Sequence, residues 1–116
     1  MGKVIHKEKT FEQRLKECNN ILTKYPDRIC IYIEKLETCK TLPDLVKNKY
    51  LVPKTITAAQ FIIVIRSKLP VPKDKALFFY INNSIISGNI IMETFNKYKD
   101  PDGFLYIKYT AESCFG

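Results

Sequence analysis

The chain has 116 residues, 46% of them hydrophobic, and a formal net charge of +7. That size and composition fit one domain with one packed core, needing neither metal nor disulfide staples. No stretch approaches the roughly 20 apolar residues of a membrane-spanning helix, so any membrane attachment is expected to be covalent or peripheral.

In chain order, a short basic segment around Gly2 to Lys9 is read as at most a turn of helix. Its single histidine, His6, is expected near a mobile terminus. Thr10 followed by Gln13 is a capping-box signature. Phe11, Leu15, Cys18, Leu22 and Tyr25 then recur at helical spacing until Pro26. Arg28 to Glu34 alternates, with Ile29, Ile31 and Ile33 on one face and Cys30 and Tyr32 on the other, which predicts a strand covered on both sides. After a polar loop with Pro43, Lys49 to Pro53 reads as a second short strand. Thr57 to Gln60 is another capping box, opening a helix through Phe61, Ile62, Val64, Ile65 and Leu69 that stops at Pro70 and Pro72. Its apolar residues nearly encircle it, predicting a central buried helix.

Leu77 to Ile81 is a β-prone run followed by the turn signal Asn82-Asn83. Ile90 to Tyr98 has helical spacing, with Ile91, Phe95 and Tyr98 in register. Asp100-Pro101-Asp102-Gly103 is a turn, and Phe104 to Tyr109 is a last alternating strand. The order helix, strand, strand, long helix, strand, short helix, strand, tail predicts an α+β fold of the β-grasp, ubiquitin-like type with an N-terminal helical extension. The expected division is 1–27 helical, 28–110 β-grasp and 111–116 a flexible tail. A ferredoxin-like fold would need a helix between the first two strands.

Of the 19 Lys and Arg, 12 lie within Met1 to Thr57 against 7 acids. A basic half suits an acidic peptide, an anionic membrane, tubulin or nucleic acid, although no aromatic-basic module of the nucleic-acid binders is present. The four cysteines at 18, 30, 39 and 114 show no CxxC pair, and no secretory leader precedes them, so reduced thiols and no metal site are expected. There is no Gly-rich phosphate loop, no second histidine and no nucleophile beside a base. A cofactor is not expected, and an enzyme is the least favoured class.

The tail Ser113-Cys114-Phe115-Gly116 is different. A terminal glycine lacks Cβ, so its carboxylate can thread a narrow groove and present an unhindered carbonyl.

Tyr25-Pro26-Asp27-Arg28-Ile29, Lys49-Tyr50-Leu51-Val52-Pro53, Thr57 to Phe61 with Ile65-Arg66, Ala76-Leu77-Phe78-Phe79, Asn82-Asn83 and Asp102 to Tyr106, in that order, resemble the autophagy ubiquitin-like modifiers, including the GABA-receptor-associated protein and its relatives. The resemblance runs from about Phe11 to Gly116. It implies that an activating enzyme adenylates Gly116 and holds it as a thioester, and that a conjugating enzyme passes it to the amine of phosphatidylethanolamine. It also implies a cysteine protease for processing or delipidation, which would meet Phe78 and Tyr80. The expected location is the cytoplasm, and autophagosome or vesicle membranes when lipidated.

The resemblance further implies capture of cargo receptors through short aromatic-x-x-aliphatic motifs that add as a strand to the sheet edge. The aromatic pocket would use Glu17, Ile21, Cys30, Tyr32, Lys49, Leu51 and Phe104. The aliphatic pocket would use Tyr50, Val52, Pro53, Ile56, Phe61, Val64 and Ile65. Arg28, Lys47, Lys49 and Lys68 would meet an acidic flank. Cys30 stands where the family usually has proline, Tyr32 where it has a smaller aliphatic residue, and Ile86-Ser87 where it often has Pro-Pro. The loop from Leu36 to Asp44 is one residue longer. Attachment to protein lysines, or an unconjugated microtubule-binding scaffold, are the alternatives.

Overall fold

The computed structural model describes residues 6–111. Helix α1 (Phe11–Lys24) opens with both halves of the expected capping box: Gln13 N–H donates to Thr10 Oγ1, and Thr10 N–H donates to Gln13 Oε1. Its buried anchor is Cys18, with Ile21 and Leu22 half-buried beside it, while Phe11 and Tyr25 at its ends are exposed. Ahead of it, His6–Glu8 forms one 3-10 turn.

Five strands form one sheet in the order β2-β1-β5-β3-β4. Strands β1 (Arg28–Lys35) and β5 (Leu105–Ala111) run parallel at the centre, with Ile31 opposite Leu105 and Ile33 opposite Ile107. On one side β2 (Lys49–Pro53) pairs antiparallel with β1; on the other, β3 (Leu77–Ile81) pairs antiparallel with β5. A tight turn at Asn82 and Asn83, both at positive φ, leads to the two-residue β4 (Ser84–Ile85). Asparagine tolerates that left-handed backbone, which suits the twist of a two-residue hairpin. The sequence gives no period for so short a strand, and β4 was not expected.

The alternation of β1 places each face on a different core, as predicted. Ile29, Ile31 and Ile33 join Phe61, Ile65, Phe79, Leu105, Ile107 and Tyr109 beneath helix α2 (Ala58–Ser67). Cys30, Tyr32, Phe104 and Cys18 form a second cluster beneath α1. Helix α2 has its own capping box between Thr57 and Gln60, and its next N–H groups, from Ala58 and Ala59, donate to the carbonyls of Ile90 and Gly88.

Three expectations need correction. Helix α2 is not apolar-sealed: Ala58, Phe61 and Ile65 are buried, but Ile63 is 66% exposed and Val64 42%. Only one stripe faces the sheet, and among the described residues no layer lies outside it. The segment after Gly88 forms a 3-10 helix, Met92–Tyr98, that buries Met92 and leaves Ile91 and Tyr98 exposed. A period of three rather than 3.6 shifts which residues face inward. The last strand extends through fully buried Ala111, two residues beyond the expected Tyr109, because Ala111 pairs with Leu77.

Candidate functional site

Strand β2 has a partner on one side only, so alternate backbone N–H and C=O groups along Lys49–Pro53 face outward at the sheet edge. Cys30 lies opposite Leu51 and Tyr32 opposite Lys49, which turns Leu51 and Lys49 toward the α1 side. Glu17 and Ile21, one helical turn apart on α1, face them. Between helix and edge strand lies a cavity of 230 Å³ lined by Glu17, Ile21, Cys30, Lys47, Lys49, Tyr50, Leu51 and Phe104. Six of the seven residues expected for an aromatic pocket are therefore brought together.

Tyr32 is the exception. It is 6% exposed and lies under the His6 ring, which stacks on it at 4.4 Å between centroids. Lys47 and Tyr50 take its place in the lining, with the Lys47 ammonium 5.3 Å from the Tyr50 ring centroid. His6 is likewise not at a loose end: it is 4% exposed, with its Nε2 2.8 Å from the Tyr106 hydroxyl. The clue in the sequence was the aromatic face of Tyr32, Phe104 and Tyr106, wider than one 14-residue helix covers.

The mouth of the cavity is charged. Glu17 accepts from Lys49 at 2.8 and 3.0 Å and from Lys9 at 2.8 Å. Burial pushes the Glu17 carboxyl up, but the two ammonium groups outweigh it and hold it below the usual carboxylate range. Any further anion approaching Lys49 must therefore compete with Glu17. At the floor, burial and the neighbouring Cys18 push the Cys30 thiol up to about 12, so it is neutral and a poor nucleophile at ordinary pH. Among the described residues no group of three or more His, Cys, Asp or Glu is placed to hold a metal.

The residues expected for an aliphatic pocket divide. Tyr50 and Ile56 are half-buried against the main core, Pro53 is half-exposed, and Val64 projects outward. Val52, Phe61 and Ile65 are buried in that core at 8%, 1% and 0% exposure, so in this state they lie behind the pocket wall rather than on it. Helical spacing alone cannot separate a lining residue from the core residue one turn away. Of the cations, Arg28 begins β1 beside Asp27, and Lys47 and Lys68 are exposed.

Phe78 and Tyr80 alternate with buried Phe79 and Ile81, so they face away from α2. Tyr80 lines a separate 480 Å³ groove with Leu36, Asn82, Asn83, Tyr106 and Lys108. Strand β3 stands three strand spacings from β2, roughly 14 Å. The two surfaces are therefore distinct. Gly116 lies outside the described residues.

Residues 13–116 match the family model described as autophagy protein Atg8 ubiquitin like. The chain is similar to autophagy-related protein 8h of Arabidopsis thaliana, at 43% identity over 90% of this chain and 88% of that protein. It is similar to autophagy-related protein 8 of Pichia angusta, at 42% identity over 94% and 87%. The crystal structure of Trypanosoma brucei ATG8 superposes with a TM-score of 0.88 at 34% identity over the whole of both chains. Plasmodium falciparum Atg8, solved with a peptide of Plasmodium falciparum Atg3, gives 0.82 at 26% identity over 95% of this chain and 99% of that one. A five-stranded β-grasp preceded by a helix, matched by sequence along nearly its whole length, places this chain in the Atg8 family of autophagy ubiquitin-like proteins.

Proposed function

We propose that this protein is a modifier rather than an enzyme, conjugated through the Gly116 carboxylate to phosphatidylethanolamine. Adenylation makes that carboxylate electrophilic, a thioester carries it, and the lipid amine displaces the thiol. The observation that carries the reading is the family match, which continues to Gly116 itself. No helix among the described residues is long and apolar enough to cross a membrane, so a covalent lipid would supply attachment. The relative solved with an Atg3 peptide supports a conjugating enzyme as a partner of this chain. Phe78 and Tyr80, away from the β2 edge, are assigned to the protease that processes or delipidates it.

The test is reconstitution with activating and conjugating enzymes, ATP and liposomes containing phosphatidylethanolamine, read by intact mass. A lipid adduct is expected on the native chain, with strong loss in Gly116→Ala. Isopeptide-linked protein products in place of the lipid adduct would point to lysine conjugation. Activity in microtubule binding that survives deletion of Gly116, with no adduct in either form, would point to a scaffold.

The membrane-bound protein is assigned a second task, capture of aromatic-x-x-aliphatic motifs as an added strand on β2. The aromatic side chain would enter the 230 Å³ cavity, and the aliphatic one would pack by Tyr50, Ile56 and Val64. Leu51→Ala removes one wall of the cavity. It should weaken a Trp-x-x-Leu peptide about tenfold or more by fluorescence anisotropy, in keeping with a central anchor contact. Lys68→Ala, on the rim, should change affinity less and mainly at low salt. Equal affinity of the native chain and Leu51→Ala would remove the pocket assignment.

A further inference from the structure

The His6 ring sits in an aromatic cage. Tyr32 stacks on it with planes 18° apart, Phe104 meets it edge-on at 4.7 Å, and Tyr106 lies at 5.8 Å. Hydrogen-bond accounting settles the tautomer of the neutral ring. Tyr106 has one hydroxyl proton, and it goes to Asp102 Oδ2 at 2.5 Å. The 2.8 Å contact between the Tyr106 oxygen and His6 Nε2 must therefore be donated by the imidazole. In the neutral ring Nδ1 is then the bare nitrogen, and it is buried with no hydrogen-bond partner among the described residues. A second proton would have to sit there, unsatisfied and away from water.

The charged neighbours do not rescue it. Glu17 of α1 already accepts from two lysines, and Asp102 of the turn before β5 already accepts from Arg14, Tyr106 and the Phe104 N–H. Lys49 of β2 and Arg14 of α1 are cations that oppose a further positive charge; from β1 and β5 the ring meets only the neutral tyrosines and Phe104.

We propose that His6 is a pH-operated latch: neutral, it holds the 3-10 turn over the aromatic wall beside the peptide pocket, and protonated, it lets the turn go. Release would uncover Tyr32 and Phe104 and withdraw Lys9 from Glu17 at the pocket mouth. The direction in which the surroundings shift the imidazole agrees with the geometry. Burial first, then Lys49, lower the docked imidazole to about 4 from the ordinary 6.5. A docked pKa below the free one means docking is at full strength above about pH 6.5. It weakens as pH falls, about tenfold per unit, until roughly pH 4. At pH 5 the docking equilibrium should be about 30-fold weaker than at pH 8. For both Glu17 and Glu34, the partner of Lys7, burial acts upward but their lysines outweigh it and keep them below the usual carboxylate range, on the acid side of the ordinary histidine value. The effect on the pocket rests on the peptide reading above; the latch itself does not.

The chain has a single histidine, so its Cε1–H gives one unambiguous NMR signal. Titration of the full chain from pH 8 to 4 is expected to show a midpoint far below 6.5, with Tyr32 and Tyr106 ring signals moving in concert. His6→Phe, which keeps the stacking but cannot titrate, should abolish that concerted movement. An ordinary histidine midpoint, or ring signals that move identically in His6→Phe, would overturn the latch. In a second arm, Kd for a Trp-x-x-Leu peptide is measured at pH 7.5 and 5. The ratio of the two is expected to differ about fivefold or more between the native chain and His6→Phe, and equal ratios would overturn the coupling to the pocket. Absence of binding at pH 7.5 in both proteins would defeat the peptide reading, while the NMR titration still decides the latch.

Discussion

Gly103→Ala is expected to lower unfolding stability by about 2–5 kcal/mol in urea denaturation. Gly103 has φ +93, a backbone conformation that L side chains rarely adopt, and it closes the turn through a 2.8 Å bond from its N–H to the Asp100 carbonyl. A Cβ there would lie 2.5 Å from Cys18 Sγ and 3.1 Å from Cys18 Cβ. Cys18 is 1% exposed and pinned between α1 and the sheet, so it has little room to yield. Two costs therefore combine, left-handed backbone strain and overpacking. They can be separated: Cys18→Ala removes the 2.5 Å clash with Sγ but leaves the 3.1 Å approach to Cβ and the backbone strain. The double variant should be more stable than the sum of the single effects predicts, by about 1–3 kcal/mol. Strict additivity would mean that the contact across the turn does not exist. Because Phe104 follows at the floor of the 230 Å³ cavity, the surviving fraction of Gly103→Ala should also bind peptide more weakly.

Asp102→Ala should cost about 3 kcal/mol or more, since it leaves several buried partners without an acceptor. Asp102 is 2% exposed; its Oδ1 accepts from the Phe104 N–H at 2.9 Å, and its Oδ2 accepts from Arg14 Nε at 2.9 Å and from Tyr106. Burial raises its pKa, but the Tyr106 hydroxyl, the Phe104 N–H and Arg14 outweigh it and set it below the usual carboxylate range. A carboxylate depressed in the folded state stabilises fully above its unfolded pKa of about 4, and that contribution is lost as pH falls below it. The native chain should therefore lose stability below about pH 4, and Asp102→Ala should be flatter there than the native chain. Asp102→Asn keeps an acceptor for the Phe104 N–H but no charge for Arg14, so it should fall between the two. This acid transition lies below the window assigned to His6, so thermal unfolding in His6→Phe still shows it.

Much of the fold was legible because its elements carry local signatures. Both capping boxes, at Thr10 with Gln13 and at Thr57 with Gln60, form as the spacing predicts. The alternation from Arg28 to Glu34 foretold two apolar faces, and the strand has a core on each. Where the period was ambiguous, the reading failed. Ile90 to Tyr98 fits 3.6 or 3 residues per turn over so short a stretch, and packing Met92 into the core selected the 3-10 form. In α2, five apolar residues in a row concealed which of them the sheet would cover; Phe61 and Ile65 were chosen, and Ile63 was left outside.

The candidate site was legible only as a set of positions. That Glu17, Ile21, Cys30, Lys49, Leu51 and Phe104 converge required the pairing of Cys30 with Leu51 and the placement of α1 over both, which no local pattern encodes. The same holds for Tyr32, whose place in the lining was lost to Lys47 and Tyr50 when His6 covered it.

By itself, then, the order of residues determined the elements, their caps and the two-sided character of β1, because hydrogen-bond and side-chain periodicities act over a few residues. Tertiary structure alone decided which apolar side chains line the cavity and which lie behind it. It also decided that Glu17 is shared between Lys9 and Lys49, and that a histidine six residues from the start is buried against a tyrosine a hundred residues away. Those outcomes depend on burial, and burial is a property of the assembled chain rather than of any segment of it.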